Sequence, residues 1–119
     1  MIQNCIIKDN ILTDTINSRG GGVYNLTHSG NITLEGCKVF NNIARMYAAT
    51  ERVKFIKNSI IFNNKSPNNN VNPFQIHYAQ LLENSLVYDS ESWRSVQADT
   101  IINSTVDGIA TSGGKNSFV

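Results

Sequence analysis

Glu35, Lys57 and Glu83 are the residues whose type and spacing could do chemistry, because each stands at the same position of a recurring six-residue phrase. Two carboxylates facing one another can divide the work of general acid and of base or nucleophile on a glycosidic bond. A basic residue beside a carboxylate-bound metal can instead abstract a proton. Here the order is negative, positive, negative, which reads as a surface charge row. Glu51 with Arg52, and Arg94 with Asp89 and Glu91, read as further surface pairs, and exposed pairs contribute only about 0 to 1 kcal/mol. His28 and His77 lie in different contexts with no repeated acid or nucleophile beside either, so no catalytic residue is assigned.

Other chemistry is equally sparse. Gly20, Gly21 and Gly22 are followed by Val, Tyr and Asn, whereas a phosphate-cradling P-loop needs Lys and then Ser or Thr. The glycines therefore read as a structural corner. Cys5 and Cys37 share one register and are expected as reduced thiols in a small-residue column with Ser59, Ser85 and Ser104. Two cysteines without convergent His or Cys make no zinc set. No metal and no cofactor are expected.

The phrase that carries these residues occurs five times, as IQNCII, LEGCKV, IKNSII, LENSLV and IINSTV, beginning at Ile2, Leu34, Ile56, Leu82 and Ile101. Its small residues are 32, 22, 26 and 19 positions apart, intervals that mark a stacked architecture. The apolar ends of each phrase are five positions apart and would fall on opposite faces of an unbroken strand. A corner at the central Asn or Gly removes the conflict, since both tolerate left-handed backbone angles. Stacked corners would bring Asn58, Asn84 and Asn103 into one column. Asn10, Asn42 and Asn64 would form a second, with side-chain amides bonding along the stack.

One position past each inward Val39, Ile61 and Val87 come Phe40, Phe62 and Tyr88. Continued alternation makes these rings an outward aromatic column, accompanied by Ile60 and Leu86. Exposed apolar area of this kind marks an interface, and aromatic faces pack against sugars. Phe74, Ile76 and Tyr78 alternate, as do Val96 and Ala98 with Trp93 nearby, which predicts further strands. The Asn-rich run from Asn63 to Asn72 reads as an outward loop, and the GG at Gly113 and Gly114 as a further corner.

The combination of N-C/S-x-I/V-x-x-N with GGGVYN resembles right-handed parallel β-helix proteins, most closely the repeats of bacterial polymorphic outer-membrane proteins and secreted β-helix repeat proteins. Gly21 to Tyr24 match one phrase of those repeats; Ile7 to Asn10, Val39 to Asn42 and Ile61 to Asn64 match the other. The resemblance implies an all-β chain, a right-handed single-stranded parallel β-helix or solenoid of about four to five coils, forming one domain over 1–119. The first phrase starts at Ile2 with no cap before it, so an uncapped fragment is expected. The same resemblance implies a secreted or cell-surface, adhesin-like, carbohydrate-binding module that acts without catalysis through adhesion, glycan contact or self-association. The alternative is a fragment of a polysaccharide lyase or glycoside hydrolase with its catalytic residues elsewhere. A glycan, or further copies of the chain stacked end to end, are the partners expected on this reading.

Charge and hydropathy narrow the field. A formal net charge of +1 with 16% charged residues provides no concentrated basic field for nucleic acid. No apolar run reaches the ~18 residues of a membrane span, so no transmembrane segment is expected.

Overall fold

The computed structural model describes residues 1–12, 19–27, 30–66, 74–89, 94–107 and 109–111. His28, Trp93, Gly113, Gly114, Glu91 and the Asn68 to Asn72 part of the expected loop lie outside these residues. The recurring phrases fold as pairs of short strands flanking a corner: β1 (Ile2–Gln3) and β2 (Ile6–Lys8), β4 (Thr33–Glu35) and β5 (Lys38–Phe40), β7 (Phe55–Lys57) and β8 (Ile60–Phe62). The longer β9 (Ile76–Glu83) precedes β10 (Leu86–Tyr88), and β11 (Arg94–Ile102) precedes β12 (Thr105–Val106). Between the phrases lie β3 (Val23–Tyr24) and β6 (Thr50–Glu51), and β13 is Ile109–Thr111.

All pairings between these strands are parallel. One sheet runs β1, β4, β7, β9, β11, β13, with β6 bridging β3 to β9. The second runs β12, β10, β8, β5, β2. Leu34, Ile56 and Leu82 from the first sheet meet Val39, Ile61 and Val87 from the second in one core, each fully buried. Removing a side chain such as Ile56 down to Ala costs about 2 to 5 kcal/mol in such a setting.

The corners explain how the two sheets alternate along the chain. Asn4, Gly36, Asn58, Asn84 and Asn103 all have φ between 45° and 64°, which turns the chain between sheets, and the residue that follows is buried at Cys37, Ser59 and Ser85. Their backbone amides bond to the following phrase: Asn4 N–H donates to Glu35 O (2.9 Å), Gly36 to Lys57 O (3.1 Å), Asn58 to Glu83 O (3.0 Å) and Asn84 to Ile102 O (3.0 Å). At Gly21 the requirement is proximity, since a Cβ there would lie 2.5 Å from Ala48 O.

The expected fold class needs correction. The molecule is a compact two-sheet parallel β structure and not an elongated solenoid or multi-coil β-helix. Its radius of gyration is 12.4 Å and its extents are 36 × 27 × 27 Å; a compact domain of this length has a radius near 13.5 Å. The physical reason lies in the rise: strands stack about 4.8 Å apart, so five phrases build a height no greater than the breadth of the sheets. The repeat descriptors and the resemblance to outer-membrane and secreted β-helix repeats are withdrawn with that form.

Candidate functional site

Among the described residues, the left-handed positions other than glycine are held by Asn or Asp with three exceptions: Tyr47 (φ 54°), Arg52 (φ 60°) and Tyr78 (φ 58°). Such residues cost of order 1 to 3 kcal/mol each, and they concentrate at functional sites. All three surround Glu51 and His77. Those two are register partners on β6 and β9, in the row that begins with Tyr24, so parallel pairing alone brings acid and imidazole together.

Glu51 is fully buried and His77 is 6% exposed. Glu51 Oε1 lies 3.5 Å from Arg19 Nη1, 3.7 Å from Arg52 Nε and 3.9 Å from His77 Nδ1. Only the Arg19 contact is within hydrogen-bond length. The His77 ring is sandwiched by neighbours: Tyr47 stacks on it at 3.6 Å and 4°, Tyr78 meets it at 4.0 Å and 50°, and Phe74 tilts against it at 5.6 Å. Met46, Tyr47 and Phe74 form a second small core here. Burial first, then the Arg52 and Arg19 cations, hold the imidazole down to about 3. Burial, followed by the Glu51 carboxylate, pushes the Tyr47 hydroxyl above its ordinary range. A neutral imidazole beside an arginine-bracketed carboxylate is suited to holding side chains in place. It is a poor proton acceptor at neutral pH.

Arg52 carries the pair's influence to the surface. Its Nη1 donates to Leu26 O (2.8 Å), and the residue lines a cleft of about 200 Å³ with Gly30, Lys54, Tyr78, Gln80 and Asp99. Lys54 Nζ donates to Asn31 Oδ1 (2.9 Å) and sits 5.4 Å from the Phe55 ring centroid. Tyr78 is 48% exposed although its ring also packs against His77, and Gln80 and Asp99 are exposed. Left-handed geometry at Arg52 and Tyr78 re-aims both chains: alternation from Phe74 and Ile76 places Tyr78 inward, but its φ turns it out. Sequence reading also takes Glu51 and Arg52 for an exposed pair and leaves His77 without an acid. The missing information is the register between β6 and β9.

The other residues singled out from the sequence go elsewhere. Phe40, Phe62 and Tyr88 are half-buried register partners and stack with centroids 4.7 Å apart and planes within 6° and 4° of parallel. Each interior ring face is therefore occupied by the neighbouring ring. Ile60 and Leu86 pair beside them, with Leu86 37% exposed. Glu35 and Glu83 lie on either side of Lys57 in the paired row; Lys57 Nζ is 3.9 Å from Glu83, and Glu35 Oε1 accepts from Asn58 Nδ2 (3.0 Å). Asn58 thus spends its amide on Glu35, not on Asn84 above it, and the corner column with Asn103 is tied by backbone bonds.

The second amide row is continuous. Asn42 Oδ1 accepts from Asn10 N and Nδ2, Asn64 Oδ1 accepts from Asn42 N and Nδ2, and Gln75 Oε1 accepts from Asn64 N and Nδ2, at 2.9 to 3.2 Å. Gln75 Nε2 then donates to Tyr88 O (2.9 Å). The small column is also bonded: Cys37 N–H donates to Ser59 Oγ, Ser59 N–H to Ser85 Oγ and Ser85 N–H to Ser104 Oγ. Cys37 is buried but Cys5 is exposed, and both are free thiols.

No family model matches the chain, and no curated protein or solved structure matches it either. The expected role as an elongated surface or secreted module for adhesion, glycan contact or self-association, with a carbohydrate-active enzyme as alternative, is corrected by the compact two-sheet form. The aromatic row offers a further reason against sugar stacking, because the rings use their faces on one another. No helix among the described residues is long and apolar enough to cross a membrane.

Proposed function

We propose that the protein binds a small ligand bearing an oxyanion, a carboxylate or a phosphate, in the cleft of Arg52, Lys54 and Tyr78. The observation that carries this reading is the left-handed backbone of Arg52, just after β6, and of Tyr78 on the neighbouring strand β9, which brings both residues to the wall of one cleft. Guanidinium geometry suits bidentate contact with either anion, and Lys54 adds a point charge beside it. At about 200 Å³ the cleft is smaller than the ~300 Å³ at which sites for drug-sized molecules begin, so the occupant is small. The Glu51 carboxylate, 3.7 Å from Arg52 Nε, anchors the guanidinium from behind.

Titration of isotope-labelled protein with acetate and with inorganic phosphate at low ionic strength tests this reading. The expected result is saturable amide shifts at Arg52, Lys54, Tyr78 and Gln80, weakened at least about fivefold in Arg52→Gln, a loss of ~1 kcal/mol. The stronger of the two anions identifies the acid group. Shifts that fail to saturate, or that spread evenly over Lys38 and Lys65 as well, would overturn the proposal.

A further inference from the structure

Among the described residues Asp99 is the one carboxylate lining this cleft, and its position explains more than anion binding. It extends from β11, while Arg52 and Lys54 follow β6 and precede β7, so the cations and the acid stand at different levels of the stack, with Tyr78 and Gln80 of β9 between them. The Lys54 ammonium is bonded to Asn31 and the Arg52 guanidinium to Leu26 O and near Glu51. No ion pair joins Asp99 to either cation among the described residues. A cleft evolved or suited for a simple anion gains nothing from a solvent-facing carboxylate in its wall, because like charges repel across it.

We infer that the ligand is a compact zwitterion of the amino-acid class, with its carboxylate toward Arg52 and Lys54 and its ammonium toward Asp99. This inference rests on the reading of the cleft as an oxyanion site. The half-exposed Tyr78 ring strengthens the cationic end, since an ammonium over an aromatic face within about 6 Å is attracted by the ring quadrupole. The Gln80 amide supplies both a donor and an acceptor between the two ends. Opposed charges set across a small cleft select a ligand by the separation of its own charges, and each mismatched end leaves one protein charge unanswered.

Alanine, propionate and ethylamine separate the possibilities by calorimetric or NMR titration, since the last two each carry one of alanine's charged ends. Wild-type protein is expected to bind alanine at least about tenfold tighter than propionate, ~1.4 kcal/mol, and to bind ethylamine weakest. Asp99→Asn is expected to bring alanine down to the level of propionate and leave propionate unchanged or improved. Equal affinity for alanine and propionate in wild type, or an alanine preference that survives in Asp99→Asn, overturns the zwitterion inference while the oxyanion site stands. Absence of binding by alanine, propionate and phosphate alike overturns both.

Discussion

The ring of Tyr47 lies 3.6 Å from that of His77 and 4° from parallel to it, so a left-handed tyrosine closes one face of a buried imidazole. The stack keeps water from the ring whose charged form would face Arg19 and Arg52. His77 is consequently neutral at pH 7, held down to about 3, against ~6.5 in an unfolded chain.

That shift fixes a sign for the pH dependence of stability. Between about pH 6.5 and pH 3 the unfolded chain holds a proton on His77 that the folded chain lacks, so stability falls as pH is lowered through this window. Urea unfolding midpoints at pH 7.5, 6.5 and 5.5 are expected to fall for wild type and to fall less for His77→Gln. Equal slopes for the two proteins would remove His77 as the origin.

Glu51 is the counter-charge for Arg19 and Arg52, so Glu51→Gln leaves two guanidinium groups beside a neutral amide. Breaking a buried pair from one side costs about 3 to 5 kcal/mol; the partial exposure of Arg19 places the expected loss at the lower end, about 3 kcal/mol. A loss below about 0.5 kcal/mol in chemical denaturation would show that Glu51 is not what holds the arginines. The same variant should weaken acetate binding, because Arg52 loses its anchor.

The amide row predicts a gradient of cost along it. Asn64 is 2% exposed and bonds to Asn42, Gln75, Val39 O and Phe62 O, whereas Asn10 is exposed at the end of the row. Asn64→Leu leaves several buried groups unanswered, each costing about 1 to 3 kcal/mol, and should destabilise by at least about 3 kcal/mol. Asn10→Leu should cost under about 1 kcal/mol. Comparable losses at both positions, measured by urea titration, would contradict the assignment.

Phe62 stacks on both Phe40 and Tyr88, while each of those stacks on Phe62 alone among the described rings. Aromatic pairs contribute about 0.5 to 1.5 kcal/mol beyond their buried area. Phe62→Leu should therefore cost about 1 to 3 kcal/mol, more than Phe40→Leu. A double-mutant cycle between 40 and 88 should show little direct coupling, since Phe62 separates them.

Much of the scaffold is legible in local chemistry. The central Asn or Gly of each phrase announces a left-handed corner, and the small residue after it announces a tight inward slot, because both demands are met within a few residues. The candidate cleft is not legible in the same way. Glu51 meets His77 only through the parallel register of strands separated by the residues after Arg52, and no spacing rule relates the two. Tyr78 is misread for a different reason: one left-handed residue inside a long strand overturns alternation, and tyrosine has no propensity that warns of it. Gln75 takes the next place in the amide row although it stands only 11 residues beyond Asn64, so a column extrapolated by phrase position passes it by. Overall shape escapes as well, since a repeated phrase specifies how levels stack but not how many levels are needed before height exceeds breadth.

The serine column has a consequence for how this chain can change. Each hydroxyl accepts the amide of the preceding level and donates to a carbonyl of its own phrase, Ser59 to Lys57 O, Ser85 to Glu83 O and Ser104 to Ile102 O, so each level from Cys37 onward is clipped to the next through one atom. The bonded residues of successive levels stand 22, 26 and 19 positions apart, and the clip is the same in each case. Length is thereby separated from registration. Insertions and deletions in the connecting segments can accumulate without misaligning the sheets, and variation in what the cleft holds can arise in those segments while the clips keep their places.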